Sequence, residues 1–178
     1  MKKVLAISFG VLLAGCATSH PDLPTQSNVN LSKYAGTWYE QARLPNRFQK
    51  DCVGDVKADY VLQADETIRV TNQCRTGGGS LKLAEGLGRS SKSVDPSDPA
   101  VLEVRFAPKW TSWLPMVWGD YWILRIEGDY EYSLVGTPDR DYLWVLSRKK
   151  QADEAIVDEL LAYAGTLGFS VSEVKKTD

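Results

Sequence analysis

Few side chains in this 178-residue chain suit covalent chemistry: three thiols, at Cys16, Cys52 and Cys74, and one imidazole, His20. A thiol acts as nucleophile or metal ligand, and nucleophilic catalysis with Ser or Cys needs an imidazole close by. Cys16 has a context of its own. Lys2 and Lys3 precede an apolar run, residues 4–14, which ends in Leu13-Ala14-Gly15-Cys16. The run is too short to span a bilayer, and its charged start marks residues 1–15 as a secretory signal. Small residues before Cys16 let a signal peptidase close on the chain, and the freed thiol forms a thioether to diacylglycerol. This is the pattern of a bacterial lipobox. Two or three acyl chains anchor firmly where one binds only marginally. Ala17, rather than Asp, follows the Cys, as in lipoproteins sorted to the outer membrane.

Export into an oxidising compartment leaves Cys52 and Cys74 to form one disulfide, contributing about 3 kcal/mol. With a simple turn at Ala64-Asp65, Cys74 falls opposite Asp55 and the chain must curl back to bring Cys52 to it. Two Cys with no His nearby make a poor metal site. His20 lies in a segment, residues 16–30, rich in Ser, Pro, Asn and Thr, which reads as a flexible tether between anchor and domain. A Ser-His-Asp set is therefore excluded from the domain itself, and Glu40 alone would have to carry a carboxylate chemistry. Cleavage removes two Lys and no acid, taking the formal net charge from −2 to −4, with 19 basic and 23 acidic side chains. That balance argues against nucleic acid and against an electrostatic membrane patch.

What must position any site is a series of short strands. Alternating patterns run over residues 37–44, 55–62, 67–74, 81–89, 101–106, 120–126, 131–136 and 142–147. Turn residues separate them, at Ala64-Asp65-Glu66, Gly77-Gly78-Gly79, Glu127-Gly128-Asp129 and Pro138-Asp139 among others. The period then changes: Ile156, Val157, Leu160, Leu161 and Ala164 share a helical face over residues 153–164, with Asp153 and Glu154 at its start and Gly165 or Gly168 at its end. Residues 169–174 read as a short closing strand.

Two segments flank these strands. Gly36-Thr37-Trp38-Tyr39-Glu40 opens the first, and Thr137-Pro138-Asp139-Arg140-Asp141-Tyr142-Leu143-Trp144 leads through the last to Ser147-Arg148. In this order and spacing they resemble the signature regions of the lipocalins, closest to the bacterial members and their apolipoprotein D-like and plant temperature-induced relatives. The resemblance covers most of the chain from Leu31 onward. It implies an all-β fold: an eight-stranded up-and-down antiparallel barrel over residues 31–178, with one C-terminal α-helix packed outside. It also implies structural roles at the barrel floor for Gly36, Trp38 and Arg148, the guanidinium lying across the indole.

Alternation selects the residues that face the cup. In the second strand Asp55, Lys57 and Asp59 take the outer face, so Tyr60 points in. In the fifth, Leu102, Val104 and Phe106 point in against Glu103 and Arg105. If Arg148 meets Trp38, then Trp144, which shares its parity, faces the cavity. Asn72 and Tyr121 fall at positions that form ligand pockets in the apolipoprotein D-like relatives. The loop 107–118 holds three of the six Trp, at Trp110, Trp113 and Trp118, beside Leu114 and Met116. So much apolar surface in one loop marks a binding rim, a dimer contact or a membrane contact, unless it packs on itself over the mouth.

The resulting expectation is a lipid-anchored carrier of a small apolar ligand, a fatty acid or lysophospholipid by family resemblance. Arg47, Asn72 and Arg75 are the candidates to meet its head group. No cofactor is expected, because no His or Met is placed as an axial haem ligand. The alternatives are an assembly lipoprotein whose barrel is filled by its own side chains and, behind it, a lipocalin-type enzyme.

Overall fold

A computed structural model describes residues 23–92 and 94–177. The expected signal segment 1–15, Cys16 and His20 lie outside the described residues.

The chain forms a short helix α1 (Leu31–Tyr34), then β1 (Gly36–Arg43), β2 (Cys52–Leu62), β3 (Ile68–Thr76), β4 (Leu81–Ser90), β5 (Val101–Arg105), β6 (Gly119–Glu127), β7 (Tyr132–Gly136) and β8 (Leu143–Ser147). Helix α2 (Glu154–Thr166) and a two-residue β9 (Lys175–Lys176) follow. Every pairing is antiparallel, and neighbours in sequence are neighbours in space from β2 to β8. Strand β1 closes the barrel by pairing with β2 along one edge and β8 along the other. A bulge between Glu40 and Ala42 re-aims β1, and beyond it β9 pairs with Ala42 and Arg43. Eight closed strands leave an interior just wide enough for one small ligand.

Two apolar layers explain which strand patterns are legible. Inside the barrel Tyr34, Trp38, Tyr60, Val70, Leu102, Ile123, Val135 and Leu146 form one cluster. Outside it, α2 lays Val157, Leu160 and Ala164 against Val101, Leu124, Leu134 and Val145. Strands β7 and β8 are thus covered on both faces, and every residue of β7 is buried. In β2, with one face in water, burial alternates as expected for a half-buried strand.

Several expectations need correction. The β2–β3 register is shifted by one residue, with Lys57 opposite Gln73, because the turn is closed by Gln63 and Thr67 rather than at Ala64-Asp65. Cys52 reaches Cys74 not through a curled lead-in but through two irregularities in β2 around Gly54 and Asp55; the bridge spans 5.6 Å between Cα atoms. The final strand is not residues 169–174. Phe169 is buried against Gly136, where a Cβ would stand 2.6 Å from its ring, and a 3-10 turn at Val171–Glu173 delays pairing until Lys175. The far end of the expected tether is also docked. Leu23 and Val29 are buried, Gln26 donates its amide N–H to the Ile123 carbonyl at 2.8 Å, and Thr25 bonds Asp98. Asn30 then caps α1, its side chain accepting from the Ser32 and Lys33 amides.

Helix α2 begins one residue after its N-cap, Asp153, whose carboxylate accepts from the Ala155 amide. It is stopped by Gly168, which follows the C-cap Leu167 and adopts φ 91°, and not by Gly165, which lies within it.

Candidate functional site

The barrel encloses an open cavity of about 690 Å³, within the range of roughly 300–1,000 Å³ for small-molecule sites. Its closed end is built first. The Trp38 indole donates to the Tyr34 carbonyl at 2.8 Å, and the Arg148 guanidinium lies 3.8 Å from the centre of the Trp38 rings. Arg148 donates to the carbonyls of Lys33, Tyr34, Ala35, Thr37 and Tyr130, so one side chain holds the end of α1 and the start of β1. Gly36 passes beneath it with φ 104°, and a Cβ there would stand 3.2 Å from the guanidinium.

Above this floor stand three tyrosines. The Tyr34 hydroxyl bonds Ser133 at 2.9 Å and Tyr121 at 2.9 Å, and Tyr121 bonds Tyr60 at 3.0 Å. The Tyr34 and Tyr60 rings stack at 5.9 Å, and Tyr121 meets Tyr60 edge-on. Burial pushes the Tyr34 phenol up to about 12 and raises Tyr60 and Tyr121 too, so all three stay neutral at ordinary pH.

The walls are apolar: Val56, Ala58, Val70, Leu102, Val104 and Leu146 line them. Asn72 opens into the same space from β3. Higher up, Trp144 donates its indole N–H to Gln49 at 2.9 Å and stacks on Tyr142, which in turn meets Phe48. Glu40 lies in the wall but is fully engaged. It accepts from Arg43 and Gln49 at 2.5 Å each and from Thr177 at 2.6 Å.

All six residues expected to face the ligand, Tyr60, Asn72, Val104, Phe106, Tyr121 and Trp144, line the cavity. Phe106 does so from beyond the end of β5 and stays 44% exposed, packed on Gly86 at the mouth. Of the expected head-group cations, Arg47 lines the mouth beside Phe48. Arg75 instead forms an exposed ion pair with Asp55 at 2.8 Å, outside the lining. Asp120 and Asp139 face the mouth, and burial raises the Asp120 carboxyl above its usual range.

The sequence reading leaves Tyr34, Phe48 and Gln49 out of the site. Tyr34 was detectable through its cap: Asn30 before Leu31-Ser32-Lys33 is a helix start. Phe48 and Gln49 sit on a loop, where period-two alternation has nothing to say, whereas Tyr142 lines the cavity on the parity it shares with Trp144.

Glu103 and Arg105 point away from the cup as expected, but they are buried. Arg89 pairs with Glu103 at 2.5 Å, and Trp118 covers Arg89 at 3.6 Å and Arg105 at 5.2 Å. In the 107–118 loop Trp118 and the buried Thr111 pack down. Trp110, Trp113 and Met116 remain 78%, 77% and 83% exposed, so the loop does not close on itself over the mouth.

Comparison with known proteins agrees with this architecture. A family model described as a lipocalin-like domain matches residues 29–178. Temperature-induced lipocalin-1 of Arabidopsis thaliana is 38% identical over 90% of this chain and 84% of its own length. The outer membrane lipoprotein Blc of Escherichia coli K12 is 31% identical over 96% of this chain and 92% of its own. Mouse apolipoprotein D is 30% identical over 89% and 81%. Among solved structures, insecticyanin from Manduca sexta superposes with a TM-score of 0.67 at 21% identity, covering 89% of this chain and 85% of that one. With sequence, barrel and floor in agreement, the chain belongs to the lipocalin family, beside the bacterial outer-membrane lipoproteins and apolipoprotein D.

Proposed function

We propose that this protein is a lipid-binding lipocalin of the bacterial envelope. It is anchored through an acylated Cys16 to the outer membrane, faces the periplasm, and stores or ferries fatty acids or lysophospholipids for membrane maintenance. The observation that carries this reading is the cavity itself: about 690 Å³, apolar along its walls and open at one end. A barrel filled by its own side chains would leave no such space. The similarity to outer membrane lipoproteins over nearly the whole chain supports the location.

Burying an acyl chain in the cup supplies affinity at about 0.8 kcal/mol per methylene. Tyr60, Asn72, Val104, Tyr121 and Trp144 contact the chain at successive depths, and Phe106 covers it at the mouth. Charges of both signs stand at the opening, Arg47 on one loop and Asp120 and Asp139 on others. That pairing fits a head group carrying phosphate and ammonium. The anchor keeps the cup beside its lipid source, and the exposed Trp110 and Trp113 form the lip over which lipid enters.

The test is native mass spectrometry of the mature chain carrying Cys16→Ser, which leaves every described residue in place, after incubation with a total envelope lipid extract. A retained mass equal to a fatty acid or lysophospholipid supports the reading and names the cargo. A clean apo mass, with no quenching of Trp144 on fatty acid titration, overturns it in favour of an assembly role.

A further inference from the structure

The hydroxyl chain at the cavity's closed end has a donor to spare. Ser133, Tyr34, Tyr121 and Tyr60 bond in a line, Ser133 to Tyr34, Tyr34 to Tyr121, Tyr121 to Tyr60. Four hydroxyls carry one proton each, and three links use three of them. Whichever way the line is polarised, one O–H points outside it. Ser133 is completely buried and does not line the cavity, whereas Tyr34, Tyr60 and Tyr121 do. A spare proton left on Ser133 would be sealed in the core at the cost of a lost hydrogen bond, so the favoured polarisation presents it on a lining tyrosine, where a ligand's leading end would rest. A plain methyl terminus placed there would cover an O–H without bonding it, at a cost comparable to a lost hydrogen bond.

We propose that the floor is a hydrogen-bonding subsite in which Tyr60 or Tyr121 donates to a neutral oxygen, a hydroxyl or ketone, at the buried end of the ligand. The ligand class is then a lipid oxygenated at its tail as well as at its head. The oxygen is neutral because the floor offers no free cation among the described residues: Arg148 lies behind Trp38 with its N–H groups already given to five carbonyls. A carboxylate there would lose its hydration without a counter-charge. The raised phenol values agree, since they keep these hydroxyls as donors. This inference rests on the reading of the cavity as a lipid site.

The experiment compares a saturated fatty acid with its ω-hydroxylated twin of the same chain length, by calorimetric titration of the mature Cys16→Ser chain. The ω-hydroxy acid is expected to bind about tenfold more tightly, the equivalent of one ordinary hydrogen bond. In the double variant Tyr60→Phe/Tyr121→Phe the ratio of the two affinities falls to about one, whatever the change in the affinity for the plain fatty acid. In the single variant Tyr121→Phe the preference survives, because Tyr60 then has its whole proton free. Circular dichroism melting of each variant separates loss of preference from loss of fold. If the double variant does not fold, Tyr60→Phe alone, which moves the donor to Tyr121, should change the ratio of the two affinities, and an unchanged ratio would count against the subsite. Equal affinities in the unmodified chain, or a preference that survives the folded double variant, would overturn the subsite and leave the lipid reading intact. Failure of both acids to bind would sink both.

Discussion

The two ends of the barrel are built on opposite principles. At the floor every large ring is covered and nearly every polar atom is engaged: Trp38 is fully buried between Tyr34 and Arg148, and Arg148 serves five backbone carbonyls. At the mouth Phe48, Phe106, Trp110, Trp113 and Met116 stay in solvent, on loops and short 3-10 turns. The difference separates two tasks along one axis. Dense contacts and satisfied backbone at the closed end resist opening, while sparse contacts at the open end leave the mouth at the low-stability end of the molecule. On the proposed reading as a lipid carrier, traffic is needed at one end only, and the chain invests its strongest interactions at the other.

The largest effect should follow from breaking that asymmetry at its heavy end. Trp38→Ala removes a fully buried indole and the surface on which Arg148 rests, at a cost of about 3–5 kcal/mol. Trp144→Ala, at a partly exposed ring near the mouth, should cost less than half of that. The urea midpoints of the two variants, at constant slope, check the contrast. Equal losses would mean that the mouth contributes to stability as much as the floor does.

A smaller effect comes with pH, and its direction differs between the regions. At the floor, burial raises the Tyr34 phenol to about 12 from an ordinary value near 10. A raised folded-state value favours the protonated form, so this stability is complete below about pH 10 and is lost as pH climbs toward about 12. Toward the mouth, three residues past Cys52, hydrogen bonds from Lys150 and then Arg75 hold the Asp55 carboxyl down at about 2. A lowered value favours the anion, so that contribution is present above about pH 4 and is lost as pH falls toward about 2. Melting temperature should therefore decline on both limbs. Tyr34→Phe should lessen the alkaline decline, part of which Tyr60 and Tyr121 retain, and Asp55→Asn the acid one, each leaving the other unchanged, as circular dichroism melts across the pH range would report.

The same asymmetry governed what could be read from the residues. The barrel, its helix and the floor were legible because Gly36, Trp38 and Arg148 are set at fixed spacings by the architecture itself. Inward positions were legible wherever one face meets water, as at Tyr60 in β2. They were harder to read where α2 covers the outer face and buries all of β7. The fourth hydroxyl of the floor line, Ser133, lies in that doubly covered strand. Tyr34 escaped because four residues of helix produce no periodicity, and residues 23–29 because a stretch of polar and turn-forming residues reads the same whether it is free or docked. The mouth was legible only as composition. Three Trp in one loop announced exposed apolar surface, but only the fold divides them into Trp118, stacked on Arg89, and the exposed Trp110 and Trp113.

That division supplies the smallest stability effect and the sharpest functional one. Trp110→Ser with Trp113→Ser removes two rings that are already more than three-quarters exposed, so unfolding should shift by no more than about 0.5 kcal/mol. Indole rings at a membrane surface lie at the headgroup level, and as an entry lip these two would bring the mouth against the lipid source. The rate of fatty acid uptake from vesicles should then fall in the double variant, while equilibrium affinity for fatty acid presented in solution stays as it was. Sedimentation of both proteins tells the lip from a dimer contact, which would show as a change in oligomeric state. If neither uptake nor oligomeric state moved, the exposed rings would have no part in the mouth's work, and lipid entry would have to be sought on the other side of the opening, at Phe48 and Arg47.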